Sequence, residues 1–205
     1  MITGKLIVFE GADEVGKTTL ATMLAEALRS KGTACKLVGF PGNQLGTLGR
    51  HIYELHHDPT RFRVGRINPT SLQLLHVAAH IDTIDQEIIP ALKNNQIVVL
   101  DRFWWSSWIY GIANRANKAS LKACIRAEAI HWKGVKPSWL FLVTCSSPFE
   151  KQADIVKWRR IDRLYKEFAS QEKQEYPLTI IQNDSTPEMA FSHIQKYAKT
   201  FSPGH

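Results

Sequence analysis

Lys5-Leu-Ile-Val-Phe-Glu10-Gly11-Ala12-Asp13-Glu14-Val15-Gly16-Lys17-Thr18 is the stretch on which the fold turns. Its first half is a short apolar run rich in β-branched residues, the pattern of a strand buried on both faces. Its second half has the spacing Gly-x-x-x-x-Gly-Lys-Thr, which cradles phosphate. The two glycines permit a tight turn and let backbone N–H groups approach phosphate oxygens. An apolar stripe at Leu20, Met23, Leu24, Ala27 and Leu28 predicts a helix over 17–30, whose positive end points at the same anion. Strand, loop and helix in this order are the context that the motif requires. Gly11, Ala12, Asp13, Glu14, Val15, Gly16, Lys17, Thr18 and Thr19 are therefore the expected nucleotide-binding residues. Lys17 is expected to neutralise the β- and γ-phosphates of a nucleotide triphosphate and Thr18 to offer its hydroxyl to Mg²⁺.

Outward from this stretch the chain repeats the strand-then-helix rhythm. Strands are expected over 34–40, 97–100, 139–144 and 178–182. Helices are expected over 45–56, 103–115, 119–132, 157–170 and 186–201, with a long or broken helix over 71–94 that Ser71 caps and Pro90 interrupts. Alternation of this kind predicts a parallel sheet with helices on both faces and ligands at the carboxyl ends of the strands. The expected architecture is α/β: a three-layer P-loop NTPase fold with a five-stranded parallel sheet. With 205 residues and no linker or internal repeat, one P-loop domain over 1–205 is expected, with a short lid around 155–163.

Composition narrows the class. Hydrophobic residues make up 44% and charged residues 22%, ordinary values for a chain with a real core. The longest apolar runs fall far short of the ~20 residues that a membrane span needs, and the first residues carry no signal-peptide pattern. Cys35, Cys124 and Cys145 are too scattered for a disulfide framework, so a cytoplasmic location is expected. Lys and Arg number 26 against 19 acids, a charge of +7, which suits anionic partners. Nucleic acid rests on that charge alone and ranks below a nucleotide substrate.

A second motif ends the strand at 97–100 with Asp101-Arg102. An acid at the tip of a buried strand can reach Mg²⁺ if that strand lies beside the first. The arginine after it can bridge donor and acceptor phosphates, where charge develops during phosphoryl transfer. A third element, Lys157-Trp-Arg159-Arg160-Ile-Asp-Arg163, carries four basic residues in seven and suits either a lid over the triphosphate or a solvated helix face.

With these elements in place the chain resembles the thymidylate kinase family. Phe9-Glu10-Gly11-Ala12-Asp13 through Lys17-Thr18-Thr19, Phe40-Pro41, Asp101-Arg102-Phe103 with Ser106, Ser107 and Tyr110, and Arg163-Leu164-Tyr165 with Phe168-Ala169 carry the likeness nearly end to end. The resemblance implies transfer of the ATP γ-phosphate to a deoxynucleoside monophosphate, a requirement for Mg²⁺, and often a homodimer. It implies that Asp13 touches the acceptor, that Arg102 holds its phosphate, and that Ser106 and Tyr110 line the base pocket. Arg159, Arg160 or Arg163 is then the catalytic lid arginine.

The acceptor side departs from the family. Gly42-Asn43-Gln44 follows Phe40-Pro41 where an arginine is usual, and spacing does not choose a replacement among Arg50, Arg61, Arg63 and Arg66. His76 and His80 stand where the family has a base-stacking phenylalanine and a base-bonding arginine. Phe40, Asn43, His76 and His80 are thus expected to belong to a rebuilt acceptor pocket, with thymidine monophosphate a poor acceptor. Kinases of a nucleoside or another hydroxyl-bearing acceptor, and a nucleotide-binding regulator without turnover, are the competing readings.

Overall fold

The computed structural model describes residues 1–42, 44–150, 154–197 and 201. Five strands, β1 (Lys5–Glu10), β2 (Cys35–Gly39), β3 (Ile97–Asp101), β4 (Trp139–Thr144) and β5 (Leu178–Gln182), form one parallel sheet in the order β2-β3-β1-β4-β5. Leu6 to Phe9 and Val98 to Leu100 are at most 1% exposed. Each large apolar side chain so buried contributes about 1.5–3 kcal/mol, which is why the two central strands carry almost no polar residue.

The order of strands also assigns the helices to faces. Parallel crossovers are right-handed. From β1 to β2 the chain moves one way across the sheet, through α1 (Lys17–Ser30). The next crossovers, β2 to β3, β3 to β4 and β4 to β5, all move the other way. Their helices are α2 (Leu48–His57), α3 (Pro69–Thr83), α4 (Ile89–Lys93), α5 (Trp104–Ala113), α6 (Lys118–His131) and α7 (Ile155–Glu172), and these belong to the opposite face. Packing agrees: α3, α5 and α6 contact one another, α5 contacts α7, and α1 packs against α8 (Pro187–Gln195). The reversal of direction beside β1 opens the crevice in which α/β sheets bind ligands.

Two expected helices take a different form on folding. The helical pattern over 71–94 becomes α3, a π-helical turn at Ile84–Ile88 and α4, with Pro90 in the first turn of the last piece. Asn68 rather than Ser71 caps α3, its side chain accepting from the Thr70 N–H at 2.8 Å. Pro69 at the first helical position has no N–H to satisfy, which places the start there. Of the helix expected over 186–201, α8 covers Pro187–Gln195, and residues 198–200 lie outside the described residues. Among the described residues no helix is long and apolar enough to cross a membrane.

Candidate active site

The loop after β1 is held from three sides. Gly16 lies at φ 86°, where a side chain would meet the Asn183 amide. That amide donates to the Val15 carbonyl at 2.9 Å from the end of β5. The Phe149 N–H donates to the Glu14 carbonyl at 3.0 Å, and the Trp158 indole of α7 donates to the Asp13 carbonyl at 2.7 Å. Within this frame Lys17 is only 5% exposed and folds over the loop to donate to the Ala12 carbonyl. Burial pushes its amine down to about 8, helped by the Arg102 charge and opposed by Asp101, Asp13 and Glu10. Thr18 and Thr19 are exposed on the first turn of α1.

Pairing of β1 with β3 sets Phe9 opposite Asp101. The Thr18 hydroxyl donates to Asp101 Oδ2 at 2.5 Å, while Asp101 Oδ1 is buried with no hydrogen bond among the described residues. A carboxylate oxygen in that state is costly unless something completes it. A hydroxyl and a carboxylate side by side make an oxygen donor set suited to a small hard divalent cation, so the two residues fit the metal expected of them.

On the other side of the loop the acceptor motif folds into a triangle. Arg102 sits at φ 75° with its N–H on the Phe9 carbonyl at 2.9 Å. This left-handed conformation is uncommon for a residue with a side chain. It aims the guanidinium at Asp13, with which it forms an ion pair through Oδ1. The Tyr110 hydroxyl donates to Asp13 Oδ2 at 2.6 Å, and Arg102 lies over the Tyr110 ring at 5.8 Å. Burial works to raise the Asp13 carboxyl, but the Arg102 and Lys17 charges and the Tyr110 hydrogen bond outweigh it and hold it at about 2.

Glu10 supports this triangle from beneath, a role that motif reading misses. Phe103 offers no side-chain cap to α5. Glu10, fully buried at the end of β1, accepts instead from the Phe103 N–H at 2.7 Å, the Ser106 N–H at 3.1 Å and the Ser106 hydroxyl at 2.9 Å. Burial pushes its carboxyl up to about 7 against the pull of Arg102, Ser106, Phe103 and Lys17. Ser106 Oγ also lies 2.8 Å from the Tyr165 hydroxyl, which ties α7 to α5. Trp158 is the second residue missed: a motif names the loop, not what the loop leans on.

Several expected acceptor residues are placed differently. Ser106 is buried and committed to Glu10 and Tyr165, so it braces α5 rather than lining a base pocket. Phe40 and His80 are 4% and 3% exposed and stack on each other at 4.0 Å. His80 Nδ1 lies 3.0 Å from the buried Glu128, whose other oxygen accepts from the Trp132 indole at 3.1 Å. His80 is thus consumed by the core and does not replace a base-bonding arginine. His76 turns instead to His56. Asn43 lies outside the described residues. Arg50 and Arg61 both pair with Glu54, at 2.8 and 3.5 Å.

The segment 155–163 expected as a lid is the first half of α7, capped by Asp154, whose Oδ1 accepts from the Val156 and Lys157 N–H groups. Arg159, Arg160 and Arg163 are exposed there and make no ion pair among the described residues. Lys17, Asp13, Thr18, Asp101, Arg102 and Tyr110 are brought to one place.

Comparison with known proteins agrees with this geometry. The thymidylate kinase family model matches residues 9–179. Thymidylate kinase of Pelotomaculum thermopropionicum is 32% identical over 166 residues, covering 80% of this chain and 73% of that protein. Thymidylate kinase of Caldanaerobacter subterraneus subsp. tengcongensis is 36% identical over 108 residues, 52% of this chain and 49% of that protein. The matched stretch thus spans from about half to about three quarters of these relatives' length. The crystal structure of thymidylate kinase from Ehrlichia chaffeensis shares the fold, with a TM-score of 0.75 at 21% identity over 94% of this chain and 97% of that one. The agreement runs through the phosphate loop, the Asp101-Arg102 strand end and α7 alike, and this chain belongs to the thymidylate kinase family.

Proposed function

We propose that the chain transfers the γ-phosphate of ATP to the phosphate of a nucleoside monophosphate. The observation that carries this reading is the Asp13–Arg102–Tyr110 triangle at one edge of a phosphate loop whose other edge is Thr18–Asp101. Lys17 and the loop N–H groups bind the donor triphosphate, and Arg102 holds the acceptor phosphate. An acceptor oxygen attacks the γ-phosphorus as the bond from that phosphorus to the β,γ-bridging oxygen breaks, and ADP leaves. Arg159, Arg160 or Arg163 neutralises the charge that develops between them. Thr18 and Asp101 would hold Mg²⁺, which supplies charge neutralisation on the donor phosphates when bound.

Phosphate rather than hydroxyl is the acceptor in this reading because of Asp13. A hydroxyl must lose a proton during transfer, whereas a phosphate monoester is already ionised. Asp13, held at about 2 and bound to Arg102 and Tyr110, is a poor base. A single kinase domain whose lid is the basic start of α7, and a cytoplasmic setting, go with the same function. So does a homodimer, supported by Leu48, Tyr53 and Leu74, which are exposed on α2 and α3. A coupled ADP-release assay over nucleosides and nucleoside monophosphates, beside a no-acceptor control, tests the reading. Turnover with monophosphates alone is expected; turnover with nucleosides alone, or none with any acceptor, overturns it.

A further inference from the structure

A cavity of about 190 Å³ opens beside the Thr18–Asp101 pair, and its wall carries a second acid. Thr18, Asp101, Gly39, Gly42 and Glu87 line it together. Glu87 comes from the π-helical turn at Ile84–Ile88. The core fixes both ends of that turn, since Ile84 and Ile88 are fully buried. Thr83, the residue before it, donates its hydroxyl to the Pro41 carbonyl at 3.2 Å, and a Cβ on Gly42 would stand 3.4 Å from the same hydroxyl. The loop after β2 is therefore packed on the start of the turn, and Glu87 is left at the rim of the cavity. Single π-helical turns of this kind recur at functional sites.

Glu87 is only partly committed. Its Oε2 pairs with Lys36 Nζ at 2.9 Å, its side chain is 18% exposed, and it makes no other ion pair among the described residues. A carboxylate accepts at about four lone-pair sites, so most of its capacity is free. The β2–β3 register sets Gly39 opposite Asp101, and Lys36 stands three residues earlier, about 10 Å back along the strand. No hydrogen bond joins Glu87 to Asp101 or Thr18 among the described residues; what they share is the cavity.

A cation at Thr18 and Asp101 finds few direct ligands. Among the described residues no three His, Cys, Asp or Glu side chains are placed to hold a metal. Mg²⁺ dehydrates reluctantly, so in such a site it keeps several of its waters. Those waters are strong donors, and the groups that accept from them orient the ion and tune its affinity. Resting on the reading of Thr18 and Asp101 as the residues that hold Mg²⁺, we propose that Glu87 is a positioning residue for that ion, accepting hydrogen bonds from its waters across the cavity. An ordinary ion pair with Lys36 needs no place on this cavity. A carboxylate that lines it together with the buried, unpartnered Asp101 Oδ1 adds a second acceptor for the same hydrated ion.

Calorimetric titration with β,γ-imido-ATP, which is not hydrolysed, tests this without turnover. Each protein is titrated once in EDTA and once in excess Mg²⁺, and the ratio of the two Kd values reads the ion's contribution. Glu87→Gln keeps the shape and removes the charge. Its ratio is expected to fall about tenfold from the wild type's, as loss of a group that orients a metal's ligands does, with the Kd in EDTA unchanged. Lys36→Met breaks the same ion pair but leaves the carboxylate, so its ratio is expected to equal or exceed the wild type's. Equal falls in both variants would make the ion pair a structural strut and overturn the proposal. So would a wild-type ratio in Glu87→Gln, or a loss of affinity in EDTA as large as that in Mg²⁺; each leaves the Thr18–Asp101 reading standing. A wild-type protein whose affinity ignores Mg²⁺ overturns the proposal together with that reading.

Discussion

The Trp158 indole N–H donates to the Asp13 carbonyl oxygen at 2.7 Å, across 145 residues of sequence. This one bond seats the basic start of α7 on the phosphate loop. Asp13 also carries the side chain that pairs with Arg102, so the phosphate loop, Arg102 and the start of α7 share a single support. Trp158→Phe keeps most of the packing and removes the donor. A stability loss of about 0.5–1.5 kcal/mol is expected from the hydrogen bond, with a rise in the ATP KM as the loop loosens. Chemical denaturation and initial-rate kinetics check both, and an unchanged KM would show that α7 is not what holds the loop.

Glu10 makes stability depend on pH in a definite direction. Its folded carboxyl is raised from 4.5 to about 7, so between those values the folded state binds more protons than the unfolded one. Its contribution is fully present below about 4.5 and is lost as pH rises towards 7. Glu10→Gln removes the titration, so the variant's denaturation midpoint is expected to fall less than the wild type's over that window. Parallel curves for the two proteins from about pH 5 to 7 contradict the assignment.

The exposed arginines of α7 are expected to separate in kinetics. Arg159 and Arg163 share one face a turn apart and Arg160 lies about 100° round the helix, so they do not approach one phosphoryl group equivalently. One alanine variant should lose kcat by about 10²–10³ with little change in ATP KM, the mark of an interaction made in the transition state. Three equally mild effects would make this stretch an ordinary solvated helix face.

His80→Arg is expected to destabilise rather than to restore thymidylate use. His80 is 3% exposed, with Phe40 stacked at 4.0 Å and Glu128 at 3.0 Å. A longer side chain overpacks that site, at a cost of about 1–3 kcal/mol. Thermal unfolding beside thymidine monophosphate KM measures this; a gain in acceptor use with an unchanged Tm would show that position 80 opens to the pocket after all.

What the sequence by itself determined is whatever depends on near neighbours. The strands over 139–144 and 178–182 and the helix over 17–30 match β4, β5 and α1 because backbone periodicity and loop glycines act within a few residues. The phosphate loop was legible for the same reason, since its chemistry lies in eight consecutive residues. Tertiary structure alone decided which side chains have other work to do. Glu10 caps a helix 93 residues away, Trp158 reaches Asp13, and Phe40 closes on His80. Spacing put His76 and His80 on one face of α3, yet one turned to His56 and the other, which is buried and needs a hydrogen-bond partner, to Glu128 on a different helix. No local pattern encodes such a partner, because it exists only once α2, α3 and α6 have packed together.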